Sequence, residues 1–293
     1  MLSQKNIFRL SCLALFVVVI LTYFNHFHNS FHFDDSHTIQ NNIFIHDLKN
    51  IPKFFTDATT FSSNPSNQSY RPVVSASLAF DYWLSKDGDT FFFHLRNFLA
   101  FIIYTFLTYL FALKIFNSVN IFPDNKFPAL LIAAIFSLHP AVAETVNYII
   151  ARSDIISSVG VMAGVVLWLY FPRKRKYGIY LLPVIIGALA KPSAVMFAPI
   201  LFFTDWLLNK DESSKKSIIQ KINNSIIKSL PAFIICAFLY WFIDHMTPKT
   251  WIAGGVSRWN YLITQPYIIL LYVRNFFFPF YLSADTDLST FAS

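Results

Sequence analysis

Long apolar segments alternate with polar ones along most of this chain. The first runs from Ile7 to Phe24, and others follow at about 92–116, 128–147, 155–171, 178–190, 192–208, 229–244 and 265–281. A helix needs about 20 apolar residues to cross a bilayer upright, and some of these segments are shorter. The pattern predicts an all-α, polytopic membrane bundle in which a tight turn around Lys191 and Pro192 joins two short spans. Arg274 and Asn275 interrupt the last segment, which predicts a re-entrant or interfacial helix.

The N-terminal part of the chain combines one apolar span with a long polar loop. Lys5 and Arg9 flank the start of the first apolar segment, and no small-residue cleavage site follows it. A signal peptide is the alternative, but the later spans favour a first membrane helix. Residues 25–90 are polar with little helical periodicity. We expect them to form a long irregular loop, which is uncommon unless functional or disordered.

Composition supports lipid as the main solvent of this protein. The 293 residues are 55% hydrophobic and 13% charged, whereas soluble domains average about 25% charged residues. The net charge of +7 comes mainly from short basic runs between apolar segments, a pattern that indicates membrane topology and not nucleic-acid binding. Cys12 and Cys236 lie within apolar segments, where a thiol behaves as a small hydrophobe, and they predict neither a disulfide framework nor a zinc site.

The basic residues also predict an orientation, because they cluster between alternate spans. By the positive-inside rule these loops and the N-terminus are cytoplasmic. The 25–90 loop, residues 139–154, Lys191 and residues 245–264 then lie on the outer side, together with every candidate for chemistry. The basic residues that decide this are Lys114, Lys126, Arg173, Lys174, Arg175, Lys176, Lys210, Lys215, Lys216, Lys221 and Lys228.

Asp34 and Asp35 are adjacent carboxylates just outside the first span. Such a pair near a membrane is costly unless protonated, paired or bound to a cation. One carboxylate could accept a proton from a hydroxyl, and either could hold a metal. A solvated pair that ends a helix is the alternative, and spacing alone favours it.

Arginine and histidine residues at the mouth of the second span form another candidate group. Arg71 could bind a phosphate with two parallel hydrogen bonds, and His94 and Arg96 follow at the start of the next apolar segment. Both arginines could equally lie at the level of the lipid headgroups.

Residues 139–154 are the most informative stretch. If they are helical, Glu144, Tyr148 and Arg152 share one face at i, i+4 and i+8. Because His139 and Asp154 are close by, a functional site is favoured over a structural tie between Glu144 and Arg152. Lys191 is a further cation that could neutralise a phosphate, although a helix-end lysine whose ammonium reaches the interface is the simpler interpretation.

These motifs, in this order, resemble the transmembrane and tetratricopeptide-repeat-containing O-mannosyltransferases and their bacterial relatives. The resemblance covers nearly the whole chain, and its most specific block is HPAVAETVNYIIARSDIISS at 139–158. The other blocks are FDD at 33–35, YRPV at 70–73, FHLRN at 93–97, AKPSAVMFAPILFFTDW at 190–206 and TQPYIILLYVRNFFFPFYLSAD at 264–285.

The resemblance implies one GT-C membrane domain over residues 1–293, and a multi-pass enzyme of the bacterial inner membrane or the endoplasmic reticulum membrane. It implies transfer of a mannose-like sugar from a polyprenyl- or dolichyl-phosphate donor to a protein or glycan hydroxyl. Further spans and tetratricopeptide repeats follow in that family, so we expect the chain to be part of a longer protein. Pro192 stands where the family usually has Glu.

The sequence thus assigns roles to ten residues. We expect Asp35, Asp34 and Glu144 to be catalytic, with Asp35 favoured over Asp34 as the general base. Arg71, Arg152 and Lys191 are expected to bind the donor phosphate, and His139, Tyr148, Asp154 and His94 to support them. The sequence makes no cofactor certain; a divalent metal is possible, with Asp34 and Asp35 as its ligands if one is bound. A catalytically silent scaffold, a truncated copy of the enzyme and a transporter of lipid-linked sugar remain alternatives.

Overall fold

The computed structural model describes residues 3–85, 89–119, 122–208, 217–250, 257–280, 282–283 and 289–291. Among these residues the regular elements are helices, and no strand occurs. Lys210, Lys215, Lys216 and Asp285, which the sequence analysis uses, lie outside the described residues. The α-helices are α1 Gln4–Thr22, α2 Ile51–Phe54, α3 Pro72–Leu84, α4 Phe91–Val119, α5 Lys126–Leu138, α6 Ala143–Asn147, α7 Arg152–Tyr170, α8 Leu182–Ala190, α9 Phe197–Leu208, α10 Ile218–Met246 and α11 Arg258–Phe277.

Four helical segments of the described chain are long and apolar enough to cross a membrane. They are Gln4–His28, Phe91–Val119, Ile149–Tyr170 and Ile218–Met246. Lys126–Leu138 and Pro140–Asn147 form a fifth span if counted together, although they are bent by 55° at His139. The prediction of an all-α, multi-pass membrane protein is therefore confirmed. α11 is less apolar than these four segments and does not meet the same criterion.

Two further apolar helices, Ile179–Ala190 and Pro192–Leu208, flank Lys191. Lys191 has extended backbone angles, and Pro192, which lacks an N–H, begins the next helical turn. The break thus falls at the two residues where the sequence predicts it.

Close contact between α7 and α8 depends on glycine. A Cβ added to Gly160 would lie 2.4 Å from the carbonyl oxygen of Pro183 and 2.9 Å from the Cα of Gly187. Small residues at such a crossing let two helix backbones approach closely. This contact fixes α8 against the middle of α7 and so positions the turn at Lys191, which follows α8.

The long loop between α1 and α4 contains regular structure that the sequence analysis does not predict. Residues 72–84 form α3, a 13-residue helix with Pro72 in its first turn, the position where proline is tolerated. Val74 and Leu78 on this helix are fully buried and pack with Ile45 and Ile149 in one apolar cluster. The loop is thus a folded layer over one end of the bundle, and apolar burial stabilises it even though most of its sequence is polar.

Residues 139–154 do not form one helix. α6 ends at Asn147, Tyr148 is extended, residues 149–151 form a 3₁₀ turn, and α7 begins at Arg152. The expected stack of Glu144, Tyr148 and Arg152 on one helical face is therefore wrong. Because of this break in the helix, the side chains of Tyr148 and Arg152 have different neighbours.

Candidate functional site

A cavity of about 400 Å³ lies at the end of the bundle where the α1–α4 loop meets the α6–α7 connection and the turn between α8 and α9. Its volume falls within the ~300–1,000 Å³ range of small-molecule sites. Six of the ten residues selected from the sequence line this cavity, namely Asp34, Arg71, Glu144, Tyr148, Asp154 and Lys191. Asp35, Arg152, His94 and His139 do not line it.

The two adjacent carboxylates follow a tight turn of the backbone at Phe33. Phe33 has a φ of 48°, which is rare for a residue with a Cβ and marks a tight reversal of the chain. The Asp34 side chain is 57% exposed and lines the cavity, whereas the Asp35 residue is 1% exposed. The two carboxylates therefore have different surroundings.

The Asp35 carboxylate is held inside the protein by two backbone groups. One oxygen accepts from the His32 N–H at 3.1 Å and the other from the Ile150 N–H at 3.1 Å. Burial raises the pKa of Asp35 from 3.8 to about 6, while these two hydrogen bonds act in the opposite direction. Asp35 thus ties the α1–α4 loop to the 149–151 turn behind the cavity.

Asp34 lies in a network of hydrogen bonds with His37 and Tyr148. Its backbone N–H donates to the Tyr148 hydroxyl at 2.9 Å, and its carboxylate oxygen Oδ1 lies 3.1 Å from Nε2 of His37. Burial, with a smaller effect from the Asp34 and Asp35 carboxylates, raises the pKa of Tyr148 above its ordinary value. The phenol therefore keeps its proton near neutral pH and can act as a hydrogen-bond donor.

Arg71 supplies a cation to the cavity that is unpaired among the described residues. Its guanidinium lies 5.2 Å from the centre of the Phe61 ring, and its Nε has no hydrogen-bond partner among the described residues. Burial lowers the pKa of Arg71, and the carboxylates of Asp154 and Asp34 oppose that shift from a distance. Arginine titrates so far above neutral pH that the group stays charged. A buried donor without a partner is costly, so this site favours an anionic ligand.

The second cation of the cavity is already paired. Lys191 donates to the Asp154 carboxylate, which joins the α8–α9 turn to the first turn of α7. Both side chains are partly exposed, so this ion pair contributes little stability by itself. Lys191 can still contribute positive charge to the cavity, but Arg71 is the cation with free donors.

Arg152 is enclosed by protein and does not reach the cavity. Its guanidinium donates to the Asp81 carboxylate, to the Ser77 hydroxyl at 3.1 Å and to the Phe93 carbonyl at 3.0 Å. Asp81 also accepts from Arg96, and both Arg152 and Asp81 are 1% exposed. The structure places Arg152 in contacts that join α7 to α3 and α4.

The two histidines outside the cavity make structural contacts. His94 is fully buried, and its Nε2 lies 2.9 Å from the Asn29 carbonyl. His139 accepts from the Ala141 N–H, and its Nε2 donates to the Phe276 carbonyl at 2.8 Å. These contacts fix the start of α4 and the end of α11.

Sequence reasoning missed His37 and Asp81. His37 lies three residues after Asp34, a spacing that places two side chains on one face of a helical turn. Asp81 is a single acid within an otherwise apolar stretch at 72–84, which is itself a signal of a buried partner. Among the described residues no group of three or more His, Cys, Asp and Glu side chains could hold a metal ion.

Comparison with known proteins gives distant similarity to two proteins named as O-mannosyl-transferases. The chain is 26% identical over 205 residues to a protein O-mannosyl-transferase of Caenorhabditis elegans, which is 68% of this chain and 28% of that protein. It is 28% identical over 149 residues to the human protein O-mannosyl-transferase TMTC3, which is 50% of this chain and 15% of that protein. No family model matches the chain, and no solved structure matches it.

The chain therefore spans less than a third of either relative's length. At this level of identity the similarity supports a glycosyltransferase-like role and a membrane setting.

Proposed function

We propose that this chain forms the membrane part of a glycosyltransferase that moves a mannose-like sugar from a lipid-phosphate carrier to a hydroxyl acceptor at the cavity. The observation that carries the proposal is Arg71, a largely enclosed guanidinium whose Nε has no partner among the residues that the structure describes, in a polar cavity that also contains carboxylates. Its free donors suit a phosphate, which arginine binds with two parallel hydrogen bonds.

The neighbouring cavity suits the rest of such a donor. It has a volume of about 320 Å³ and is lined mainly by apolar residues of α4, α7 and the 192–200 segment. The two cavities adjoin along the chain. Ser157 of the apolar cavity lies one turn beyond Ser153 of the polar cavity on α7, and Ser193 of the apolar cavity lies two residues beyond Lys191 of the polar cavity. A polar head at Arg71 and an isoprenoid tail in this apolar space would match a polyprenyl or dolichyl phosphate sugar.

In the proposed reaction Asp34 takes the proton from the acceptor hydroxyl. The acceptor oxygen then forms a bond to the anomeric carbon, the carbon–oxygen bond to the phosphate breaks, and its electron pair leaves with the lipid phosphate. Arg71 stabilises the charge on that leaving group without reorganisation. The geometry favours Asp34 over Asp35 as the base, because the Asp35 oxygens accept backbone N–H groups behind the cavity. Glu144 lines the same cavity and is the second candidate.

The orientation is part of the proposal. Placing the cavity on the outer or luminal side, with a cytoplasmic N-terminus, rests on the basic loops described above. Single cysteines at Thr56, which is exposed, and at Ser118 would report the two ends of the bundle to a membrane-impermeant thiol reagent. Labelling of the Ser118 variant from outside would reverse the proposed orientation.

The function is tested with the full-length protein in membranes, incubated with a labelled polyprenyl-phosphate mannose and a hydroxylated acceptor. Arg71→Ala should weaken donor binding by about 10- to 150-fold, the loss expected for hydrogen bonds to a charged group. Arg71→Lys should recover only part of the binding, because it keeps the charge and loses the fork. Arg173→Ala, at an exposed arginine near the opposite end, is the matched control.

A second pair of variants separates binding from chemistry. Asp34→Asn should lower turnover by about 10²–10⁴-fold with donor binding unchanged, as expected for a general base. Asp47→Asn is its control, since asparagine keeps the cap at that exposed turn. Normal donor binding and turnover in both Arg71→Ala and Asp34→Asn would rule out this site.

One observation favours a second candidate, a catalytically silent lipid-binding protein. Pro192 stands where the family that the sequence resembles usually has Glu, so one acid of that family's pattern is absent. Donor binding that depends on Arg71, without transfer to any acceptor by the wild-type protein, would select this function.

A further inference from the structure

We propose that His37 is a positioning residue that fixes the rotamer and the reactive oxygen of Asp34, an inference that rests on the proposed function. His37 lies in a one-turn π-helix, Ser36–Gln40, directly after the two adjacent carboxylates. Such single-turn π-helices frequently occur at functional sites. The imidazole is 17% exposed and lines the cavity beside Asp34.

The two ring nitrogens of His37 have different partners, and Nε2 must carry a proton to donate to the Asp34 carboxylate. The Ser62 hydroxyl lies 2.9 Å from Nδ1, and Ser62 is 1% exposed. If Ser62 donates to Nδ1, the ring proton is on Nε2, which donates to Oδ1 of Asp34 at 3.1 Å. If Ser62 instead donates to the Asn64 carbonyl at 3.2 Å, it accepts from Nδ1, and Nε2 donates to Asp34 when both ring nitrogens carry a proton.

Asn67 completes the network. Its side-chain amide lies 3.0 Å from Nε2 of His37, and two donors cannot face each other there. A 180° turn of the amide places its oxygen against the Nε2 proton, and all three contacts are then compatible. His37 is thus held by Ser62 on one side and by Asn67 on the other.

This arrangement leaves the second oxygen of Asp34 free of His37. The Tyr148 hydroxyl stands beside the same carboxylate and accepts from the Asp34 backbone N–H. Because the backbone N–H and one carboxylate oxygen of Asp34 are both held by hydrogen bonds, its other carboxylate oxygen points in one direction. Holding a base in a productive geometry is worth a large part of its catalytic effect, and a misplacement of about 1 Å can cost about 10²-fold.

Two amide substitutions separate the functions of the two ring nitrogens. The side-chain nitrogen of His37→Gln can occupy the place of Nε2 and still donate to Asp34. His37→Asn carries its amide near the place of Nδ1 and loses that donor. We expect His37→Asn to lower turnover by about 10- to 100-fold with unchanged donor binding, and His37→Gln to stay within about threefold of wild type.

A merely structural role of His37 would give a different pattern. Equal losses in both variants, or a loss of donor binding that parallels a lower melting temperature, would overturn the proposal. Wild-type turnover in His37→Asn would also overturn it, while leaving the proposed function intact if Arg71→Ala and Asp34→Asn still lose activity.

A second measurement does not depend on transfer activity. Coupling of Asp34 to an added amine with a water-soluble carbodiimide at pH 7, followed by mass spectrometry, reports how readily the carboxyl group reacts. Loss of the His37 donor should increase this rate about fivefold in His37→Asn and leave it nearly unchanged in His37→Gln. An unchanged rate in His37→Asn overturns the pairing, even if the wild-type protein transfers no sugar and the proposed function fails.

Discussion

The buried ion pair between Arg152 and Asp81 allows the sharpest test of how this fold is held together. Both residues are 1% exposed, and Arg152 has no other carboxylate within 4.0 Å among the described residues. Asp81→Asn would leave a buried guanidinium without a counter-charge, which typically costs about 3–5 kcal/mol of unfolding free energy. Arg152→Met should cost less, near the lower end of that range, because Asp81 keeps its pairing with Arg96, which is 36% exposed.

The double variant Arg152→Met/Asp81→Leu should be more stable than either single variant. Replacing both partners of a buried ion pair by apolar groups of similar volume is often neutral or stabilising. We therefore expect its unfolding free energy to lie within about 2 kcal/mol of wild type, so the two single effects should be strongly non-additive. Arg96, which remains, can turn towards solvent.

The measurement is unfolding in mixed micelles of a denaturing and a mild detergent, followed by loss of helicity. Donor binding is measured on the same preparations. Additive effects of the two single substitutions would refute the pairing. Unchanged stability in Arg152→Met together with lost donor binding would instead return Arg152 to the role of phosphate ligand that the sequence suggests.

Two further predictions concern Asp35 and Gly160. The pKa of Asp35 is raised from 3.8 to about 6, so the folded state holds this proton more tightly than the unfolded state does. The stability gained from proton binding is therefore complete below about pH 4 and is lost as the pH rises through 6. The difference in unfolding free energy between wild type and Asp35→Asn should change by about 3 kcal/mol over that window, and a difference that is flat with pH would contradict the assignment. Gly160→Leu should lower the free energy of unfolding by about 1–3 kcal/mol, because the new side chain forces α8 away from α7. Ser158 is on the same helix but faces an apolar cavity, so Ser158→Leu should be tolerated in the same melting experiment. Equal melting temperatures for the two leucine variants would mean that the helices can separate without cost.

The sequence by itself determined the solvent and the class of fold. Apolar segments of membrane length and few charges are local properties of the chain, and they determine that it forms apolar helices long enough to cross a membrane. The break at Lys191 and Pro192 belongs to the same category, because proline cannot continue the hydrogen bonding of a helix. The polar residues near one end of the bundle could likewise be selected as candidates from their position in the sequence and their chemical type.

Tertiary structure decided which of those residues share a cavity and which are enclosed by protein. Asp34 and Asp35 are neighbours in sequence, but Asp34 lines the cavity, whereas Asp35 accepts a backbone N–H from Ile150, 115 residues later in the chain. Arg71 and Arg152 are both arginines, yet among the described residues only Arg152 has a buried carboxylate partner, supplied by a helix about seventy residues earlier in the chain. Such pairings depend on packing between distant segments, and no local pattern encodes them.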